Sequence, residues 1–277
     1  MERRRFGPTA VEIPVIGQGT WYIDKANRGA AVAALRRGLD LGMTHIDTAE
    51  YYGEAEYIVG EAIAGRRADV FLVSKVVPEH ATRVGTITAC EHSLSRLKTD
   101  RLDSYLLHWR GQRPLEETVA GFEQLYRDGK IRSFGVSNFD VEDLEEIWAI
   151  TDGIVCNQVL YNLEERTIEH AVLPWCEARD VAITAYSPFG HGNFPGPGTV
   201  GGAMLARFAK AHSASPRQIA LAFLTRRASI SAIPKAASSD HAKENAKAGE
   251  IHLTDIEIAH VDAAFPLGTR RATLPML

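Results

Sequence analysis

The sequence predicts an α/β fold, a (β/α)8 TIM barrel with an N-terminal β-hairpin and an extra C-terminal helix. Three observations carry this. Eight short apolar runs recur at intervals of roughly 25–35 residues, each followed by a segment of helical period. The chain has 277 residues, close to the ~250 that such barrels need. The first strand-like run is followed by no phosphate-binding glycine turn, which disfavours a doubly wound sheet.

The residues RRRFGPTAVEIPVI read as a short hairpin closing the barrel floor. The strand-like runs are 15–21, 43–49, 69–75, 101–109, 131–138, 154–159, 181–187 and 229–236, most of them rich in Val, Ile and Leu as buried parallel strands are. Helical segments fall near 28–41, 54–64, 82–98, 115–128, 140–150, 166–179, 202–213 and 238–247. In the first, Ala31, Ala34, Leu35 and Leu39 share one face and Gly42 stops the helix. Asp140 and Ser215 read as N-caps, the latter followed by Pro216 at the first helical position. Residues 254–265 read as the extra helix. No Ser/Gly/Pro linker or charge run divides the chain, so one domain over residues 1–277 is expected.

Composition excludes several classes. The chain is 45% hydrophobic, 24% charged and 8% aromatic, with a formal charge of −4, so it is neither disordered nor drawn to nucleic acid or an anionic membrane. No apolar run approaches the ~18 residues of a membrane span, and the basic N-terminus has no apolar signal-peptide region. Three cysteines with no CxxC pair suit a reducing compartment, so a cytoplasmic protein is expected.

The strongest match to a dinucleotide fingerprint is Gly196-Pro197-Gly198-Thr199-Val200-Gly201. It is rejected as one, because no strand directly precedes it and Pro195 and Pro197 have no N–H for a pyrophosphate. The stretch 190–202 reads instead as a mobile loop at the barrel mouth, able to act as a lid.

In a barrel, chemistry sits where the strands end at their C-terminal face. Those ends carry Asp47, Lys75, His108-Trp109, Ser137-Asn138, Asn157-Gln158, Tyr186-Ser187 and Lys235, with Tyr51 and Tyr52 just after the second strand. Singly, each has a bland reading as a helix cap, a solvated strand end or a satisfied histidine. Together they make a proton-transfer site. A tyrosine is too weak an acid at its ordinary pKa near 10. A lysine cation beside it favours the phenolate and lowers that value. A carboxylate keeps the lysine charged, and a histidine orients the substrate oxygen. No side chain donates hydride, so a cofactor is implied.

At these residues the chain resembles the aldo-keto reductase family. HIDTAEYYG, LVSK, YLLHW, GVSN, NQ, YSP and IPKAASSDHAKEN occur in the family's order and at family-like spacing. The resemblance implies a barrel that binds NADPH in extended form without a Rossmann domain, and a catalytic tetrad of Asp47, Tyr52, Lys75 and His108, with Tyr52 as the acid. It further implies that Ser137, Asn138 and Gln158 hold the nicotinamide carboxamide and that Tyr186 stacks on the ring. Thr20 and Trp21 contact the cofactor, and Ser187, Pro188 and Phe189 lead into the loop over the pyrophosphate. Lys235 and Ser238 take the 2′-phosphate, with Glu244 and Asn245 near adenine. His241 stands where the family often has arginine, and a mostly neutral imidazole cannot fork onto a phosphate. Use of NADH beside NADPH is therefore admitted.

Trp21, Tyr51 and Trp109 are expected to line the substrate pocket, with Phe189 and His191 as contributors. The few residues after the extra helix imply an open pocket, and its aromatic walls imply small-molecule aldehydes, α-dicarbonyls or ketones as substrates. A monomer is expected, with a small-molecule carbonyl substrate as its partner. Two other readings are weighed. One is a cofactor-sensing regulatory subunit with little turnover. The other is a metal hydrolase, disfavoured because the strand ends carry no His-x-His and no paired carboxylates.

Overall fold

The computed structural model describes residues 1–271 and 273–277. Its centre is a parallel sheet in sequential order: β3 (Gln18–Gly19), β4 (His45–Asp47), β5 (Phe71–Val76), β6 (Ser104–Leu107), β7 (Phe134–Ser137), β8 (Ile154–Leu160), β9 (Ala182–Tyr186) and β10 (Ile230–Ala232). The ring closes between its first and last strands. Ile16 bridges Ala232 and Gly19 bridges Lys235, with Gly17 N–H donating to the Ala232 carbonyl at 2.8 Å. Closure requires glycine at 19, since a Cβ there would stand 2.5 Å from the Ile233 carbonyl oxygen.

The hairpin is present. β1 (Arg3–Arg5) pairs antiparallel with β2 (Glu12–Pro14). Its Phe6 and Ile13 are buried in one cluster with Phe71, Val73, Leu106 and Cys156, so the hairpin plugs the barrel floor. Burial of a side chain like Phe6 is worth about 1.5–3 kcal/mol.

Strand alternation converts this floor into a site. Side chains two residues apart point the same way. Above inward Phe71 and Val73 comes Lys75; above Leu106 comes His108; above Cys156 comes Gln158; above His45 comes Asp47. The lower layers are largely apolar and the top layer is polar. Outward residues such as Ile46, Leu72 and Leu107 pack with the helices in a second, larger cluster.

The helices are α1 (Arg28–Asp40), α2 (Ala55–Ile63), α3 (Arg83–Leu97), α4 (Leu115–Arg127), α5 (Val141–Trp148), α6 (Val172–Glu177), α7 (Val200–Ala211), α8 (Pro216–Leu224), α9 (Ser239–Ala248) and α10 (Asp255–Ala264). Asp140 and Ser215 cap α5 and α8 through reciprocal capping boxes with Asp143 and Gln218. Two details differ from the sequence reading. The segment 166–179 breaks at Ala171 into a 3-10 turn (Thr167–His170) and α6. Helix α7 begins at Val200, because the Thr199 hydroxyl caps it, so the loop ends earlier than 202. Gly201 then lies inside α7 against the Phe265 ring, and the GxGxxG match serves helix packing.

His45 is fully buried at the floor between Phe6 and Phe71, and neither ring nitrogen has a partner. Burial, reinforced by Lys75, pushes its pKa down to about 3. Below about pH 6.5 the unfolded chain takes up a proton that the folded chain refuses, so stability falls with acidification until about pH 3. The slope is up to about 1.4 kcal/mol per pH unit. His45→Leu is expected to lessen the drop in Tm between pH 7 and 4.5. An unchanged drop in thermal melts contradicts this account.

Candidate active site

Asp47 ends β4, Lys75 lies near the end of β5, and His108 directly follows β6. Tyr52 follows β4 in the turn leading to α2. Neighbouring strands thus bring them to one point. Lys75 is fully buried and its Nζ donates to Asp47 Oδ1 at 2.6 Å, to the Thr48 carbonyl at 2.9 Å and to the Tyr52 hydroxyl at 3.3 Å. The Tyr52 hydroxyl lies 3.5 Å from His108 Nε2. Asp47 Oδ2 accepts from Gln158 Nε2 at 2.7 Å. Both carboxylate oxygens are therefore occupied, as an ionised buried carboxylate requires.

The electrostatics follow from burial. Desolvation drives the Lys75 ammonium down, but Asp47 and Tyr52 outweigh it and its pKa ends above the ordinary lysine value. Burial pushes the Asp47 carboxyl up, with Lys75 and Gln158 opposing. Burial, then the Lys75 charge, takes His108 down to about 2, so the imidazole is neutral. Tyr52 departs from expectation. Lys75 pulls its pKa down as the sequence reading held, but burial is the larger effect and the hydroxyl ends above 10. The protonated phenol is therefore the form present at neutral pH.

Two cavities meet at Tyr52. One, of about 240 Å³, is walled by Trp21, Tyr51, His108, Trp109 and Tyr186. The other, of about 310 Å³, is a groove running from Asp47 and Tyr52 past Thr20, Ser187, Pro188 and Phe189 to the exposed Lys235. Trp21, Tyr52, Gln158 and Tyr186 line both. The expected pocket residues Trp21, Tyr51 and Trp109 are thus together, whereas Phe189 and His191 line the groove. Met276 and Leu277, each more than half exposed, also line the first cavity, with the Leu277 backbone against the Tyr186 hydroxyl. Their signal in sequence was only two apolar residues with no partner in any element.

Ser137, Asn138 and Tyr186 are linked at the junction. The Tyr186 hydroxyl donates to Asn138 Oδ1 at 2.8 Å, Asn138 Nδ2 to Ser137 Oγ at 3.2 Å, and Ser137 Oγ to the Gln158 carbonyl at 2.8 Å. Beyond Lys235, Ser238 caps α9 by accepting from His241 N–H. Glu244 accepts from the Ser215 hydroxyl at 2.5 Å, and Asn245 is buried on the same helix. Sequence reasoning missed Tyr22 and Ile233, which also line the groove. Tyr22 directly follows Trp21, a signal that was readable.

Among the described residues no group of three or more His, Cys, Asp or Glu is placed to hold a metal ion, and no helix is long and apolar enough to cross a membrane.

Comparison with known proteins bears on this geometry. A model described as the aldo/keto reductase family matches residues 15–265. The chain is 46% identical over 273 residues, 96% of each chain, to methylglyoxal reductase YeaE of Escherichia coli K12. It is 31% identical over 258 residues to glyoxal reductase of Bacillus subtilis, covering 91% of this chain and 89% of that one. It superposes with a TM-score of 0.94 on an aldo/keto reductase of Klebsiella pneumoniae crystallised with NADP and acetate, 43% identical over 100% of both chains. The match over residues 15–265 and the identity across nearly the whole of both chains show that the chain belongs to the aldo/keto reductase family.

Proposed function

We propose that this protein reduces small neutral aldehydes and α-dicarbonyls to alcohols with NADPH, using Tyr52 as the general acid. The observation that carries this reading is the position of the Tyr52 hydroxyl. It lies where the two cavities meet, within reach of a buried cation on one side and a neutral imidazole on the other.

The groove fits a nicotinamide dinucleotide. Gln158 gives its Nε2 to Asp47, and its Oε1 accepts nothing among the described residues, so it is available to a carboxamide N–H. Asn138 and Ser137 stand beside it. Lys235 and the N-terminus of α9 supply cationic and N–H character at the far end, where a 2′-phosphate is to be held. His241 is exposed there and offers no fork for phosphate, which leaves room for NADH as a poorer alternative.

Bound NADPH supplies the hydride, the one species that no side chain here provides. The remaining steps belong to the protein. Tyr52 gives its phenolic proton to the carbonyl oxygen, and Lys75 stabilises the phenolate left behind. Asp47 keeps Lys75 charged. His108, as its Nε2–H tautomer, holds the substrate oxygen in line with Tyr52. The aromatic walls exclude water from this exchange.

The substrate class follows from what the walls lack. Among the described residues, no lysine or arginine lines the first cavity. The nearby Arg110 is held by Glu146 at 2.8 and 3.0 Å and by the Arg113 carbonyl at 3.0 Å. Among the described residues no free cation is therefore placed there to pair with a carboxylate or phosphate on the substrate. The names of the methylglyoxal and glyoxal reductases agree. The buried, unpaired Cys90, Cys156 and Cys176 support a reducing, cytoplasmic setting.

Steady-state assays with NADPH and NADH against methylglyoxal, neutral aldehydes and anionic keto acids test the reading. NADPH with neutral carbonyls is expected to give the highest kcat/KM. A preference for keto acids, or no carbonyl-dependent NADPH consumption, overturns it.

A further inference from the structure

The loop after β9 crosses the groove, and its tip is built to present one side chain. Gly190, His191 and Gly192 all have positive φ, at +70°, +49° and +98°. A left-handed backbone at three successive positions makes a sharp projection, and His191, a residue with a Cβ, holds that geometry at its apex. Its ring lies 4.9 Å from that of Trp21, at 23° to it. Tyr22 adopts φ +60° on the opposite loop, stacks on Trp21 at 4.6 Å and approaches His191 at 5.8 Å. Three rings from two loops thus form a roof across the groove.

Among the described residues no hydrogen bond or ion pair joins 187–194 to 20–25, so the ring stack is the directional contact between the two loops. The base of the loop is held separately, by Phe189 and Phe194 at 5.9 Å with the Arg217 guanidinium over both rings. Trp21 itself has a second role. It also walls the carbonyl cavity and lies 6.4 Å, ring to ring, from Tyr52.

We propose that His191 is a positioning residue that clasps the loop over the dinucleotide and, through the same stack, fixes the wall of the carbonyl cavity. The inference rests on the NADPH-dependent reading above. Opening the clasp frees the groove and unpins Trp21 together, so dinucleotide release and carbonyl affinity are coupled through one aromatic contact. Among the described residues His191 makes no hydrogen bond or ring pair with Tyr52, Lys75 or His108; its ring pairs are with Trp21 and Tyr22.

The test uses the whole protein and the variants His191→Ala and His191→Phe. NADPH release is followed by stopped-flow fluorescence on displacement with excess NADP+, and kcat and KM are measured with methylglyoxal. Loss of a stack of this kind corresponds to roughly a two- to twelve-fold effect. H191A is expected to release NADPH faster by that factor, and to raise the KM for methylglyoxal comparably without lowering kcat. H191F, which keeps a ring, is expected to restore both parameters. Unchanged release and KM in H191A, or an H191F as impaired as H191A, overturns the clasp. A parent protein that binds no NADPH overturns the reductase reading, whereas a parent that binds it beside an unaffected H191A overturns the clasp alone.

Discussion

Replacing Tyr52 by phenylalanine is expected to lower kcat for carbonyl reduction by about 10²–10⁴-fold, the range for loss of a general acid, while NADPH affinity stays near that of the parent. No neighbour can substitute. His108 is held neutral, with its pKa pushed to about 2, and is a far weaker acid than its cation. The Lys75 ammonium lies behind the phenol, fully buried, with Asp47 and the Thr48 carbonyl taking two of its protons. Tyr51→Phe is the control. Tyr51 is 67% exposed at the cavity rim, edge-on to Trp109, so loss of its hydroxyl is expected to change kcat less than a few-fold. If Y52F keeps more than about a hundredth of the parent activity, the acid is another group.

Lys75→Met is expected to cost both activity and fold stability. Among the described residues Lys75 is the one cation hydrogen-bonded to Asp47, which is 1% exposed. Its removal leaves a buried carboxylate with, among those residues, Gln158 alone as a side-chain donor, together with the Thr48 carbonyl and the Tyr52 hydroxyl deprived of theirs. Breaking a buried ion pair on one side typically costs about 3–5 kcal/mol. The double variant D47N/K75M removes the stranded charge and is expected to regain a large part of that stability, but no activity. Denaturant melts of the parent, single and double variants check this. A single variant as stable as the parent contradicts the picture of Lys75 as the counter-ion that makes Asp47 tolerable.

Much of this was readable before any coordinates. Short apolar runs recurring between helical segments located all eight barrel strands, because a strand buried on both faces is apolar along its length. Asp47, Lys75, His108 and Gln158 stood out as the polar residues where those runs end, at the face that carries a barrel's chemistry. The Thr199 cap on α7 is local, made to Gly202 N–H three residues on, and was a readable signal. The return of Met276 and Leu277 to the cavity depends instead on tertiary distances that sequence spacing does not encode. The pKa of Tyr52 illustrates the limit best. A nearby lysine was correctly inferred to lower it, but burial opposes the lysine and prevails, and the degree of burial is a property of the closed barrel. The stack of His191 on Trp21 joins residues 170 positions apart by way of loops with no shared pattern.

On the proposed reading, one junction brings the nicotinamide and the Tyr52 proton to the same carbonyl. A single turnover with NADPH dideuterated at nicotinamide C4 and methylglyoxal in ordinary water checks this, with the product examined by mass spectrometry and NMR. One non-exchangeable deuterium is expected on the new carbinol carbon, and an exchangeable proton from Tyr52 and solvent on its oxygen. A carbinol carbon carrying hydrogen from solvent, or NADPH left unoxidised in the presence of the carbonyl, would contradict it.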